Sequence, residues 1–411
     1  GDVFQIDDGW EPAVGDWLTT DAKKFPKGLR GTADKIHENG FRAGLWLSPF
    51  VCQKDSEIFR RHKDWLLRVD GKPWYCGMNW GGFYAIDFDH PQAAQYLRDV
   101  FRRVFTDWGF DLVKLDFLYA AAPVNLPPES RAKRMRRAMG FLREMCGEHL
   151  IIGCGAPLMP AFGLVDYCRI GCDVGLDWDG SFIMKMAHRE RISTKHSLEN
   201  TLFRRGLNGR AFGNDPDVFF LRSDNLKLSG GQKTMLARAD ALLGSVFFTS
   251  DDMNAYDEEK RETYRELRRL LDAENVRVRM DGMPRIEYTL DGEEQRVDLG
   301  VAGGERFVNV FSCGLFTDVS QKTPTVLKNN FGKLAYYFGG LGELPNFRKM
   351  HITIRSEEVD YDGTSLIFFV FNGRTAGKVR FAYSAEIDDG RLEVIVVRGD
   401  GPSGTLRGPF R

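Results

Sequence analysis

The chain has 411 residues, enough for two domains or for one large barrel with an appendage. Hydrophobic residues make up 43% of it and charged residues 28%, the balance of an ordinary globular protein. The net charge of −1 excludes a global electrostatic pull toward nucleic acid or anionic lipid. No apolar run reaches the roughly 18 residues that would predict a membrane span, and no leader peptide is visible. The cysteines at 52, 76, 146, 154, 168, 172 and 313 are odd in number and scattered, without a CxxC pair. That pattern predicts a reducing, cytoplasmic setting rather than a disulfide framework or a zinc site.

Taken in chain order, short apolar runs alternate with helical stretches from residue 1 to about 280. The strand candidates are Val3–Asp7, Arg42–Ser48, Leu112–Phe117, Leu150–Cys154, Tyr167–Ile170, Ala211–Asn214 and Val246–Ser250. Helical stretches fall between most of them, at Leu29–Asn39, Pro91–Trp108, Glu129–Glu148, Gln232–Leu243 and Asp257–Ala273. The alternation predicts a parallel α/β fold. Several of these runs end in polar groups: Asp7-Asp8, Trp46, Lys114 with Asp116, Cys154, Arg169 and Asp173. Polar residues at strand ends favour a (β/α)8-type barrel over a doubly wound sheet. Seven strands are visible where a closed barrel needs eight. The chain starts at Gly1 without a methionine, so the missing strand is expected upstream, on a fragment or processed chain.

Past about residue 284 strand-like runs dominate: Arg285–Leu290, Arg306–Val310, Lys349–Ile354, Leu366–Phe371 and Arg391–Val397. Asp291-Gly292, Asp362-Gly363 and Asp389-Gly390 read as turns between them, and Pro324–Gly339 as one helical stretch. The division is therefore a barrel domain over 1–281 and a mainly antiparallel β domain over 285–411, joined through Arg277–Pro284.

Asp116 closes the apolar run Lys114-Leu115-Asp116, where the ammonium of Lys114 would keep a carboxylate ionised. Asp173 follows Arg169-Ile170-Gly171-Cys172 two strands later, so the two carboxyls are the leading catalytic pair. The collinear segments Phe4-Gln5-Ile6-Asp7-Asp8-Gly9-Trp10, Gly15-Asp16-Trp17, Gly44-Leu45-Trp46-Leu47-Ser48-Pro49-Phe50, Lys114-Leu115-Asp116-Phe117-Leu118, Gly153-Cys154-Gly155-Ala156-Pro157 and Arg169-Ile170-Gly171-Cys172-Asp173 carry a resemblance. Over roughly residues 1–280 the chain resembles glycoside hydrolase family 36, the bacterial α-galactosidase branch. The resemblance implies retaining hydrolysis of terminal α-galactosides, with an oligosaccharide substrate and no metal or other cofactor. It makes Asp116 the nucleophile and Asp173 the general acid/base. It also implies that Asp7 and Asp8 bind sugar hydroxyls and that Trp46, Trp80, Lys114, Cys154 and Arg169 line the sugar.

The family's first barrel strand and its preceding β-sandwich have no counterpart here. An open barrel edge would invite self-association. The tail is similar to the β-rich second domain of bacterial diacylglycerol/lipid kinases, on Asp298-Leu299-Gly300, Phe307-Val308-Asn309, Gly332-Lys333-Leu334-Ala335-Tyr336-Tyr337 and Asp388-Asp389-Gly390-Arg391-Leu392. Those kinases hold nucleotide on a Gly-Gly-Asp-Gly-Thr loop, which this sequence does not contain. The alternatives to a glycosidase are therefore a lipid-kinase-related module and an inactive, truncated fusion of the two.

Other motifs have plainer readings. Leu228-Ser229-Gly230-Gly231-Gln232 copies a transporter-ATPase signature by letter but reads as a helix N-terminus. The basic run Arg131–Arg137 reads as a solvated helix face rather than a nucleic-acid patch. Asn214-Asp215-Pro216-Asp217 and Ser250-Asp251-Asp252 read as structural strand ends, and Asp388-Asp389-Gly390 as a turn rather than a cation site.

Overall fold

A computed structural model describes residues 2–179, 192–279, 285–298, 300–302, 305–307, 310–314, 350–355, 360–371, 375–376, 379–380 and 391–398. The expected helix at Pro324–Gly339 and the turns at Asp388-Asp389-Gly390 lie outside these residues. The chain divides into two compact units. The first holds Gly1–Cys172, Glu199–Asp217 and Gly244–Phe247; the second holds Asp173–Leu198, Val218–Leu243 and Phe248–Arg411.

The first unit is built on a six-stranded parallel sheet, the sheet of a (β/α) barrel. Its strands are β1 (Val3–Ile6), β2 (Arg42–Leu47), β3 (Leu112–Leu115), β4 (Leu150–Gly153), β5 (Tyr167–Arg169) and β6 (Gly213–Asp215), and they lie side by side in chain order. Parallel strands are covered on both faces and so read as continuous apolar runs. In β2 every residue from Ala43 to Leu47 is buried. Among the described residues β1 has β2 as its one ladder partner, so the sheet has the edge expected there. The last strand candidate, Val246–Ser250, narrows to Phe248–Thr249. It pairs with Val218–Phe219 in a separate two-stranded ladder of the second unit.

Three helices cover the sheet. Helix α1 (Gly28–Glu38) buries Leu29, Ala33 and Ile36, one face of a 3.6-residue period. Helix α2 (Pro91–Arg102) starts on Pro91, where the missing N–H costs nothing, and buries Ala93, Leu97, Val100 and Phe101. It does not run straight to Trp108. The 103–107 segment widens into a π turn, with Trp108 N–H donating to the Arg103 carbonyl at 2.8 Å. Helix α3 (Arg131–Cys146) is capped by the Ser130 hydroxyl, which accepts from Lys133 N–H at 3.3 Å.

The basic run on α3 departs from the solvated face expected of it. Arg134 is 6% exposed and bridges Asp87 (2.7 Å) and Asp89 (2.6 Å), while its Nε donates to the Ala121 carbonyl at 2.8 Å. Arg137 reaches Asp89 and Glu129. Carboxylates from two other loops turn the run into a staple, because a buried guanidinium has to be matched by acceptors. An antiparallel ladder of Val51–Gln53, Phe83–Ala85 and Tyr75–Gly77, unforeseen from sequence, stands between β2 and α2 and carries Trp80 on its connection.

The core of the first unit holds Trp10, Trp17, Trp46, Phe50, Phe83, Phe101 and Phe110, each 2% exposed or less. The rings of Trp10 and Trp17, and of Trp17 and Trp46, stand 5.9 Å apart at tilted or edge-on angles, as aromatic quadrupoles prefer.

In the second unit the helix Gly230–Leu243 opens as read from sequence. Ser229 Oγ accepts from Gln232 N–H and Gln232 Oε1 accepts from Ser229 N–H, a reciprocal capping box. Asp251 accepts from the Leu221 and Arg222 amides and from the Tyr256 hydroxyl, the structural role expected of that strand end. The tail is antiparallel. Glu274–Arg279, Arg285–Leu290 and Glu293–Asp298 form one sheet, so Arg277–Arg279 belong to a strand rather than to a linker. Asp291 and Gly292 both take positive φ (55° and 82°) in the hairpin turn, as read. A second sheet joins Val310–Gly314, Asp360–Phe371, Met350–Arg355 and Glu393–Arg398. Here Asp362-Gly363 is no turn. It lies within a strand, opposite Thr353 and Ile352, and Tyr361 Oη fills the space where a Gly363 side chain would stand.

Candidate active site

The polar ends of β1 to β5 gather at one edge of the sheet. The register sets Trp46 beside Lys114 and Lys114 beside Ile152, so neighbouring strands end together. Side chains alternate along a strand. Lys114 and Asp116, two residues apart, therefore leave β3 on the same face.

Asp7 and Asp116 are each held at both oxygens. Lys114 Nζ donates to Asp7 Oδ2 at 2.9 Å, Gln5 Nε2 donates to the same oxygen at 2.9 Å, and Asp8 N–H donates to Asp7 Oδ1 at 2.9 Å. Desolvation works against the ionised form of Asp7, whose side chain is half exposed, but the Lys114 ammonium and its hydrogen bond, the Asp8 amide and Arg169 outweigh it and hold the carboxyl below the usual carboxylate range. Lys114 is held cationic in return. Burial and Arg169 oppose its charge, yet Cys154, Asp7 and Asp116 raise its pKa above the ordinary lysine value. Asp116 is the second oriented carboxylate. Trp46 Nε1 donates to its Oδ2 at 3.2 Å and Phe117 N–H donates to its Oδ1 at 2.7 Å, while the Ser48 hydroxyl donates to its backbone carbonyl at 3.1 Å.

The backbone around Asp116 is tight. Phe117 takes φ +51°, a conformation that costs a bulky residue of order 1–3 kcal/mol and persists where surroundings over-determine it. Gly155, at φ +58°, comes so close that a Cβ there would stand 3.1 Å from the Phe117 backbone and 3.3 Å from Asp116 Oδ1. A side chain here would crowd the Phe117 backbone and strain a left-handed position that glycine adopts freely. Cys154 just before it is buried, and its N–H donates to the Leu115 carbonyl at 2.7 Å.

Trp80 also has positive φ, 52°. Its indole N–H donates to Asp8 Oδ2 at 2.9 Å, and its ring lies 6.2 Å from Trp46 and 5.1 Å from Phe117. Arg169 closes the series at the end of β5. Its Nε meets Asp215 at 3.0 Å and its Nη2 meets Asp217 at 2.7 Å, with all three side chains at least nine-tenths buried. The structure thus brings Asp7, Asp8, Trp46, Trp80, Lys114 and Asp116 into one connected network, and electrostatic coupling to Lys114 ties in Cys154 and Arg169. Asp173, which begins the second unit, is exposed, and its backbone carbonyl accepts from Ser193 N–H at 3.0 Å.

Sequence reasoning missed Asp215 and Asp217 as partners of Arg169, although Asn214-Asp215-Pro216-Asp217 is an acid cluster at a strand end. It also missed Gln5, Ser48 and Phe117. Among the described residues no group of three or more His, Cys, Asp and Glu side chains is disposed to hold a metal ion.

Comparisons with known proteins bear on this arrangement of carboxylates at the strand ends. Residues 2–142 match the melibiase family model. The chain is 30% identical over 155 residues to the α-galactosidase AgaA of Geobacillus stearothermophilus, which covers 35% of this chain and 21% of that protein. Over a separate segment of 118 residues it is 32% identical to a diacylglycerol kinase of Staphylococcus saprophyticus, covering 28% of this chain and 39% of the kinase. Among solved structures, the Thermus thermophilus α-galactosidase TtGalA in complex with p-nitrophenyl α-D-galactopyranoside superimposes with a TM-score of 0.61 at 36% identity, over 71% of this chain and 59% of that one. The crystal structure of the G. stearothermophilus AgaA enzyme (TM-score 0.51, 17% identity) shares the fold. The chain therefore combines a melibiase-type segment with a diacylglycerol-kinase-like one. It spans about a fifth of the curated α-galactosidases and about two fifths of the kinases it matches.

Proposed function

We propose that this chain carries the catalytic apparatus of a retaining α-galactosidase, with Asp116 as nucleophile and Asp173 as general acid/base. The observation that carries the reading is the fixing of Asp116. Trp46 and the Phe117 amide hold both its oxygens at the end of β3, beside a lysine kept cationic. In the first step the Asp116 carboxylate attacks the anomeric carbon. The glycosidic C–O bond breaks, and Asp173 gives its proton to the departing oxygen. In the second step Asp173 takes a proton from water, the water oxygen attacks the anomeric carbon, and Asp116 leaves as carboxylate. A retaining pair works about 5–5.5 Å apart, since no water has to fit between carboxylate and sugar.

Asp7 and Asp8 suit the hydroxyls of a terminal galactose as charged acceptors. Trp80 offers an aromatic face, packed against the buried Trp46, and Lys114, Cys154 and Arg169 complete the lining. The named ligand of the Thermus structure, an α-galactopyranoside, and the names of the other relatives support an α-galactoside oligosaccharide as substrate. A cytoplasmic setting and self-association through the β1 edge belong to the same proposal. No helix among the described residues is long and apolar enough to cross a membrane.

The test is chemical rescue. Asp116→Ala should lose turnover of p-nitrophenyl α-galactoside, and azide should restore it with β-galactosyl azide as product. Formation of the α-azide would remove Asp116 from the role. The kinase likeness of the tail supports a lipid-kinase-related β module as a second reading for that region alone.

A further inference from the structure

Asp7 owes part of its orientation to a side chain that the chemistry above leaves without a role. Gln5 lies two residues before Asp7 and leaves β1 on the same face. The parallel register sets Gln5 opposite Gly44, and Gly44 opposite Leu112, one layer below Trp46 and Lys114. That layer is shaped to admit it. A Cβ on Gly44 would stand 3.3 Å from both Cβ and Cγ of Gln5, so the stem of Gln5 fills the room that the glycine leaves. The head of the side chain is fixed as well. Gln5 Nε2 donates to Asp7 Oδ2 at 2.9 Å. The reverse orientation would set an amide oxygen against a carboxylate, so chemistry decides which atom faces Asp7. Oε1 is enclosed and has no hydrogen-bond partner among the described residues. An unmatched buried acceptor lowers stability. A methionine of similar length would fill the layer without that loss. What the amide offers and methionine does not is the N–H on Asp7.

We propose that Gln5 is a positioning residue for sugar binding: together with Lys114 it fills Asp7 Oδ2 and so leaves Oδ1 as the oxygen that accepts from a galactose hydroxyl. A carboxylate has about four acceptor sites, two on each oxygen. On Asp7, Lys114 and Gln5 take both sites of Oδ2, and the Asp8 amide takes one site of Oδ1. The remaining site is on Oδ1, and the Asp7 side chain is half exposed, so a ligand can reach it. The lysine and the amide approach Oδ2 from different strands, β3 and β1, and together they stop the carboxylate from turning. The proposal rests on the α-galactoside reading for its ligand and on this layer of the sheet for its mechanism.

The test uses the full chain with D-galactose as probe, by calorimetry. Gln5→Met keeps the length and removes the N–H. It should bind galactose about 5- to 30-fold more weakly. Its melting temperature should stay within about 3 °C of wild type or rise, because the unmatched Oε1 is gone and Asp7 keeps Lys114 and the Asp8 amide. With p-nitrophenyl α-galactoside the loss should fall on KM, with kcat within about threefold, as for a contact made equally in ground and transition states. Gln5→Glu is the sharper variant. Protonated, its carboxyl donates to Asp7 as the amide does. Ionised, it repels Asp7, around which Lys114, Asp8 and Arg169 are the other charged groups. Relative to wild type at the same pH, its galactose affinity should be within about threefold near pH 4.5 and down by about tenfold or more near pH 7.5. A side chain that only fills space would give a flat ratio. Gln5→Met binding within about twofold of wild type, or a flat ratio for Gln5→Glu, overturns the positioning role and leaves the α-galactoside reading intact. A wild type that binds no galactose overturns that reading and the positioning role with it.

Discussion

The strands of the first unit and those of the tail differ in which face they bury, and the difference separates chemistry from scaffold. In β2 five consecutive residues are buried, so polarity can appear only where the strand stops. Trp46 and Lys114 with Asp116 stand at such ends, where β2 and β3 finish in register. In the tail, Met350–Arg355 alternates half-buried and exposed residues along its length, and Glu274–Arg279 does nearly the same. Polar groups there are spread along a solvated face, in pairs such as Arg279 with Glu287. A continuously buried sheet concentrates its charged side chains into one partly desolvated cluster, whereas an alternating sheet disperses them.

The comparison breaks first at the nucleophile. Asp116→Ala should lower kcat by on the order of 10⁴-fold, because the group forms the bond that splits the reaction in two. Residual turnover above a tenth of wild type would end the proposal that this strand end carries the chemistry. Asp173→Ala should come next. General acid catalysis is worth about 10²–10⁴-fold, and only substrates whose leaving group needs the proton feel it. Raffinose-type substrates should slow by about that factor while nitrophenyl substrates slow much less in the first step. Equal slowing of both would remove Asp173 from the role.

Stability sharpens the same contrast. Arg134 is buried between Asp87 and Asp89, so Arg134→Ala should cost about 3 kcal/mol in urea unfolding and release the Ala121 carbonyl just beyond Asp116. Arg279→Ala in the tail breaks a solvated pair and should leave the unfolding midpoint unchanged within error. A reversed ranking would contradict the dispersal of charge in the tail. Asp7 adds a pH dependence of known sign. Its carboxyl is held below its ordinary value of 3.8, so its contribution is present above that value and is lost as pH falls through the lowered one. Lys114→Met should flatten this acid limb of the melting curve.

What was legible in the sequence follows from the same physics. Continuous apolar runs, several of them ending in polar groups, announced β1 to β5 within a residue or two, and the barrel-type sheet with them. The site residues at those ends were visible for that reason. Trp80 was harder, because the strands around it are three residues long and exist through their cross-strand partners rather than through any period of their own. The misread α3 run follows the same rule. Arg134 shares a face with Met135 and Ala138, yet nothing local reveals that Asp87 and Asp89 arrive from some 45 residues away. Asp362-Gly363 was read as a turn because both residues favour one. The ladder to Met350–Arg355 overrode that preference.

The smallest expected effect is none, and it concerns the tail's likeness to diacylglycerol kinases. Binding a triphosphate needs backbone N–H groups that converge on the phosphates, which a glycine-rich loop between a strand and a helix provides. The sequence from 285 to 411 has no Gly-Gly-Asp-Gly-Thr loop; its paired glycines are at 303-304 and 339-340. The described tail residues form hairpins and antiparallel strands, whose edges alternate donors with acceptors instead of aligning donors. Calorimetry of the whole chain with Mg-ATP should therefore show no saturable heat in the micromolar range, and labelled phosphate should not move to diacylglycerol. The sharper arm repeats the titration on Asp116→Ala. Saturable binding there, with galactoside turnover gone, would assign an independent nucleotide function to the tail and invert the comparison, making the alternating sheet the active region of the chain.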